Sequence, residues 1–133
     1  MLKLFLGIAV GIVIAFMTVA IAESVGHQLY PLPASIDPRD AAQLAGVMDA
    51  VPFGAKAVVL AAWFLGALIG GYLANRIADR AIAGWVVAAA VILSAVATML
   101  VIPHPLWMWA GGMVLPVLAA WLSQQGARVT LWR

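Results

Sequence analysis

The chain has 133 residues, of which 66% are hydrophobic and only 9% are charged. Such a composition excludes a soluble globular domain. The net charge of +2 is therefore interpreted as a marker of membrane topology and not of nucleic-acid binding, and the absence of cysteine excludes disulfides, iron–sulfur clusters and cysteine zinc sites.

Long uncharged stretches divide the sequence into four segments of similar length. These stretches are residues 4–22, 57–75, 81–103 and 105–127. A helix needs about 20 apolar residues to cross the hydrocarbon core of a membrane, and backbone amides inside lipid must pair within their own segment. We therefore predict an all-α, polytopic membrane protein with one domain, 1–133. Its four transmembrane helices are expected at about 3–29, 55–77, 81–102 and 106–125.

The first stretch also has features of a secretory signal, because Lys3 precedes an apolar run that ends in small residues. We interpret it as a retained span, since the run is longer than the core of a usual signal. Small residues also recur through it at helical spacing, which predicts a groove for a neighbouring helix. These residues are Gly7, Gly11, Ala15, Thr18, Ala22 and Gly26.

Lysine and arginine positions predict the orientation of the bundle. If the N-terminus is cytoplasmic, the outer side carries only Arg39 and Lys56. The inner side then carries Lys3, Arg76, Arg80, Arg128 and Arg133. The positive-inside rule therefore places both termini in the cytoplasm. The hairpin formed by residues 75–80, between the second and third spans, is expected to lie among lipid head groups.

The only long connection, residues 31–54, is predicted to contain a short amphipathic helix at about 38–51. Asp37 suits the N-cap position and Pro38 the first helical position. Apolar residues then recur on one side of this helix, at Leu44, Val47, Met48 and Val51. We favour a connector that lies flat on the outer mouth of the bundle, and a lid that gates a ligand is the alternative.

Small residues predict how the helices pack in lipid. The motifs Gly7-x-x-x-Gly11 and Gly66-x-x-x-Gly70 allow two helix backbones to approach closely. We expect them to serve packing within the molecule, with a homodimer face as the alternative. Trp63, deep in the second span, is expected to pack against another helix.

Few polar side chains are found in the middle of the spans. They are Thr18, Ser94 and Thr98, whose hydroxyls typically bond to the carbonyls of their own helix. Ionisable residues at this depth would mark an ion path or a proton relay, and none is found there. A channel or transporter would therefore need a dimer with its path between the subunits.

One group of polar residues is predicted at the outer boundary. Glu23 and His27 are four residues apart and share a helix face, and His104 lies at the outer start of the fourth span. A carboxylate and two imidazoles are suitable ligands for a divalent metal ion such as zinc, iron or copper. Tyr30 is interpreted as an interfacial anchor that could also line the site. The alternative is that Glu23 only holds a histidine in place, or caps a neighbouring helix, at a wet interface.

Residues 23–33 (ESVGHQLYPLP) and 102–107 (IPHPLW) look like the corresponding segments of small uncharacterised four-span bacterial inner-membrane proteins. The similarity runs over the whole chain. The resemblance implies a location in the bacterial cytoplasmic membrane and brings no activity with it.

Three functions are consistent with the sequence. The first is a non-enzymatic accessory or assembly protein that associates with itself or with a membrane-protein partner. The second is a metal- or small-ligand-binding protein that uses Glu23, His27, His104 and Tyr30. The third is a small dimeric transporter or channel. No phosphate-binding loop or nucleophile motif is present in the sequence, so no catalytic residue is predicted.

Overall fold

The computed structural model describes residues 1–130 and is built from helices. Four of them are long, and a fifth, short helix lies between the first two. They are α1 (Leu2–Leu29), α2 (Ala41–Val47), α3 (Phe53–Ala78), α4 (Ile82–Val101) and α5 (Leu106–Ala127). The four long helices are long and apolar enough to cross a membrane. The predicted all-α bundle is confirmed, and the chain is a multi-pass integral membrane protein. Arg133, on which the predicted orientation partly depends, lies outside the described residues.

Helix α3 is the centre of the bundle and packs against α1, α4 and α5. Helix α1, in contrast, buries only four residues over its whole length, and all of them are small: Gly7, Gly11, Ala15 and Gly26. Most of its large apolar side chains are exposed on the bundle surface. Burial of small residues and exposure of large apolar ones are typical of a protein in lipid. Close packing of the backbones holds the helices together, and the large apolar side chains can face the hydrocarbon.

The crossing of α1 and α3 depends on glycine. A Cβ atom built on Gly11 would lie 2.8 Å from the carbonyl oxygen of Gly70 and 2.6 Å from Cβ of Ala74. A Cβ atom on Gly66 would lie 2.8 Å from the carbonyl oxygen of Ala15. The predicted groove is therefore occupied within the molecule. Gly66 and Gly70 contact α1, so they are not a free face for a second copy of the chain.

Two of the three hydroxyl groups in the middle of the spans bond within their own helices, as the sequence predicts. Thr18 donates to the carbonyl of Ile14 at 2.8 Å, and Thr98 donates to the carbonyl of Ser94 at 3.0 Å. Both side chains therefore satisfy their hydrogen-bonding groups without a partner from another helix.

Residues 30–52, which we call the connector, join α1 to α3. Its helix was expected over 38–51, but α2 is shorter and is followed by a 3-10 turn at Met48–Ala50. Asp37 was expected as the N-cap, and this prediction is wrong. Asp40 caps the helix by accepting hydrogen bonds of 2.9 and 3.2 Å from two N–H groups of the first turn. The Asp37 carboxylate instead accepts at 2.9 Å from the N–H two residues later, and this local turn delays the start of the helix.

The junction of α3 and α4 also differs from expectation. Asn75 was expected at the start of the hairpin 75–80, but α3 continues to Ala78 and Asn75 is fully buried. Its Oδ1 accepts at 2.7 Å from the N–H of Gly84, and its Nδ2 donates at 3.2 Å to Oγ of Ser123. Gly84 lies in the first turn of α4, where N–H groups have no partner within the helix. Asn75 therefore caps α4 from a neighbouring helix and ties both to α5.

Candidate functional site

A cavity of about 180 Å³ lies at the end of the bundle where α1 ends and α3 begins. We call this end the connector side and the opposite end the termini side. All four residues predicted to bind a ligand line this cavity: Glu23, His27, Tyr30 and His104. One water molecule occupies roughly 30 Å³ in the liquid, so the cavity has room for a small organic molecule.

Glu23 and His27 lie one turn apart on α1, close enough for their charges to interact. The side chain of Trp63, on α3, is also close enough to the Glu23 carboxylate to interact with it. Helical side chains tilt toward the N-terminus of their helix, and α3 begins on the connector side, so the indole leans toward the cavity. Trp63 is only 5% exposed, which confirms that it packs against other helices. Glu23 therefore has polar neighbours on both α1 and α3.

Lys56 is a cavity residue that the sequence analysis used only as a topology marker. It lies in the first turn of α3 and is half-buried. A Cβ atom on Gly26 would lie 2.7 Å from Cγ1 of Val58, so α1 and α3 are in contact at this level. His27 lies two residues before the end of α1 and Lys56 three residues after the start of α3, and these similar distances could have indicated that both lie at a similar depth.

His104 enters the cavity wall from the short segment between α4 and α5. Pro103 and Pro105 flank it and prevent the two helices from merging. The Nδ1 atom of His104 bonds to the carbonyl oxygen of Ile102. Because a carbonyl only accepts hydrogen bonds, Nδ1 carries the proton, and in the neutral ring Nε2 is an acceptor. The half-buried ring is thereby fixed in one tautomer by its own backbone.

Tyr30 follows the last residue of α1, and its N–H donates at 2.9 Å to the carbonyl of Gly26. Its hydroxyl lies directly against the α-carbon of Gly54, where a Cβ atom would overlap it. Glycine at position 54 is therefore needed for this close approach. Tyr30 both lines the cavity and packs the connector against the start of α3.

The connector contributes most of its predicted apolar face to the wall of the cavity. Leu44 from α2, Met48 from the 3-10 turn and Val51 all line it. These side chains form part of the cavity wall, and a gating lid remains a prediction.

The predicted metal site has no geometric support. Within residues 1–130, no three histidine, cysteine or carboxylate side chains are grouped so that they could hold a metal ion. Glu23, His27 and His104 share a cavity without forming such a group, and metal binding remains a prediction. A cavity with mostly apolar walls and a few polar groups is instead typical of a site for a small organic ligand.

Comparison with known proteins adds no functional information to this geometry. No known protein family, no curated protein and no solved structure matches the chain. The likeness to four-span bacterial inner-membrane proteins therefore remains a prediction, and the cavity is the feature from which a function can be inferred.

Proposed function

We propose that this membrane protein binds a small, charged, water-soluble molecule in the connector-side cavity. The observation that carries the proposal is the convergence of Glu23 and Lys56, with two histidines, in a cavity whose other walls are mostly apolar. Ionisable side chains within membrane-spanning helices are costly and are typical of functional sites. Glu23 and Lys56 are both among the described residues, and no ion pair joins their side chains. A charged ligand would give Lys56 an ion-pair partner and would give Glu23 a further partner beside His27 and Trp63.

We also propose an orientation of the chain in the membrane. We place both termini in the cytoplasm, so that the cavity faces the outer side of a bacterial cytoplasmic membrane. The charge distribution supports this orientation, because Arg39 and Lys56 are the only arginine and lysine on the connector side of the described chain. Lys3, Arg76, Arg80 and Arg128 lie on the termini side. A solute in the outer aqueous phase would then reach the cavity without crossing the bilayer.

The accessory function and the dimeric transporter remain predictions without a supporting contact. Both depended on small-residue faces that could join two copies of the chain. Gly66 and Gly70 pack against α1 instead, so bulky substitutions there would disturb the fold before they tested association. The cavity is the stronger observation, because four separate parts of the chain contribute polar groups or walls to it.

Cysteine labelling tests the proposal, because the natural chain contains no thiol. Ala55 lines the cavity and is half-buried, so an Ala55→Cys variant places a single thiol at the site. The low-molecular-weight fraction of a bacterial cell extract should slow the reaction of this thiol with a small maleimide several-fold. The protection should disappear when Glu23→Gln is added, because the ligand then loses its charged partner.

Ser24→Ala is the matched control for Glu23→Gln. Ser24 lies beside Glu23 at the same depth, is exposed, and donates at 2.7 Å to the carbonyl of Ala20 in its own helix. The control should keep full protection by the extract. An extract that leaves the labelling rate unchanged, or equal protection in the Glu23→Gln and Ser24→Ala backgrounds, would refute ligand binding at this cavity.

A further inference from the structure

We propose further that the ligand is a small zwitterion that binds with its ammonium end inward. Its ammonium group lies against Glu23 at the floor of the cavity, and its anionic group lies against Lys56 near the rim. This inference rests on the proposed function, because it assigns a ligand class to the same cavity.

The two charged side chains lie at different depths in the bundle. The contact between Gly26 and Val58 aligns α1 with α3. Glu23 lies three residues deeper than Gly26 along α1, and Lys56 lies two residues nearer the rim than Val58 along α3. At a rise of ~1.5 Å per residue, the two α-carbons are about 7.5 Å apart along the helix axes. The carboxylate is therefore the deeper group and the ammonium the shallower one.

The directions of the side chains increase this separation. Helical side chains tilt toward the N-terminus of their own helix. Helix α1 runs toward the connector side, so the Glu23 side chain tilts deeper into the bundle. Helix α3 runs away from the connector side, so the Lys56 side chain tilts toward the rim, where its ammonium reaches water. The two helices thus hold opposite charges apart, which explains why no ion pair forms between these described residues.

The charged side chains that line the cavity indicate the net charge of the ligand. Among the described residues that line the cavity, Glu23 is the only carboxylate and Lys56 the only lysine or arginine. The remaining titratable groups there are the imidazoles of His27 and His104 and the phenol of Tyr30, which can donate or accept hydrogen bonds while neutral. One fixed charge of each sign is best matched by a ligand that carries one of each.

The order of the charges argues against a lipid head group as the occupant. In a phospholipid such as phosphatidylethanolamine, the phosphate lies nearer the hydrocarbon and the ammonium points toward water. The cavity presents the opposite order, with the carboxylate deep and the ammonium shallow. A solute that enters from the aqueous phase with its amine first matches this order.

The test uses three probes of equal chain length: 4-aminobutyrate, n-butylamine and butyrate. Their affinities for the purified full-length protein in nanodiscs are measured by titration. We expect 4-aminobutyrate to bind about tenfold more tightly than either singly charged probe, because each charged hydrogen bond contributes about this factor. Glu23→Gln should weaken 4-aminobutyrate and butylamine about tenfold and leave butyrate unchanged. Lys56→Gln should weaken 4-aminobutyrate and butyrate and leave butylamine unchanged.

The two variants should weaken different pairs of probes, so the titrations distinguish the role of Glu23 from that of Lys56. Ser24→Ala should bind all three probes like the natural protein, and the melting temperature of each variant without ligand shows that it is folded. Butyrate binding as tightly as 4-aminobutyrate, or two variants that weaken the same probes, would overturn the inference. If the extract still protects the thiol of the Ala55→Cys variant in a Glu23-dependent way, only the zwitterion assignment fails. If that protection is also absent, the proposed function fails as well.

Discussion

Replacing Asn75 with alanine should destabilise the bundle strongly, although the residue was expected only at the start of a hairpin. Asn75 is fully buried, and its Oδ1 is the acceptor for the N–H of Gly84 at 2.7 Å. In the Asn75→Ala variant this N–H stays buried and loses its partner. The first turn of α4 has no side-chain cap from its own sequence that could replace it.

The magnitude follows from what each partner loses. A buried donor without an acceptor costs about 1–3 kcal/mol. Ser123 loses less, because its hydroxyl still donates at 2.8 Å to the carbonyl of Ala120. We therefore expect Asn75→Ala to lower the free energy of unfolding by about 2 kcal/mol, which is about a 30-fold change in the equilibrium constant.

Unfolding in mixed micelles with increasing sodium dodecyl sulfate, followed by tryptophan fluorescence and circular dichroism, measures this change. Ser123→Ala keeps the acceptor of the Gly84 N–H but leaves the buried Nδ2 group of Asn75 without one, so we expect a loss of about 1–3 kcal/mol there as well. Arg76→Ala is the control, since Arg76 is the exposed neighbour of Asn75. If Asn75→Ala costs no more than Arg76→Ala, the assignment of Asn75 as the cap of α4 is wrong.

Three further substitutions test the packing and the connector. Gly84→Ala places a Cβ atom 2.6 Å from Nδ2 of Asn75, so we expect a loss of about 1–3 kcal/mol in the same unfolding assay; an unchanged stability would mean that the amide moves freely. Gly70→Leu should lower the melting temperature in detergent, because its side chain would overlap the backbone of α1; a melting temperature equal to that of the natural protein would contradict this crossing. Asp40→Ala removes the cap of α2 at a cost of about 1 kcal/mol, and Gly46→Ala, with nothing within 4 Å of the new Cβ atom, should stabilise α2 by a similar amount. Hydrogen exchange of residues 41–47 should change in opposite directions in these two variants, and a change in the same direction would refute the helix assignment.

The candidate site was only partly predictable. Glu23 and His27 could be paired because four residues make one turn of a helix, and His104 could be added from its depth in the bundle. Lys56 was missed as a site residue, because a lysine at the end of a span is also the usual marker of topology. The connector was also only partly predictable. Its apolar pattern predicts which of its faces is turned toward the cavity, but the choice between Asp37 and Asp40 as N-cap depends on a local turn.

The sequence by itself determined that the helices of this protein lie in lipid, how many long helices there are, and approximately where they end. Those features follow from the lengths of uncharged stretches, because backbone amides in lipid must pair within each helix. Only the tertiary structure decided that Gly66 and Gly70 serve α1, that Asn75 caps a neighbouring helix, and that Glu23 and Lys56 face one cavity at different depths. Each of these depends on the register and rotation of one helix against another, which apolar patterns leave open when all sides of a helix are hydrophobic.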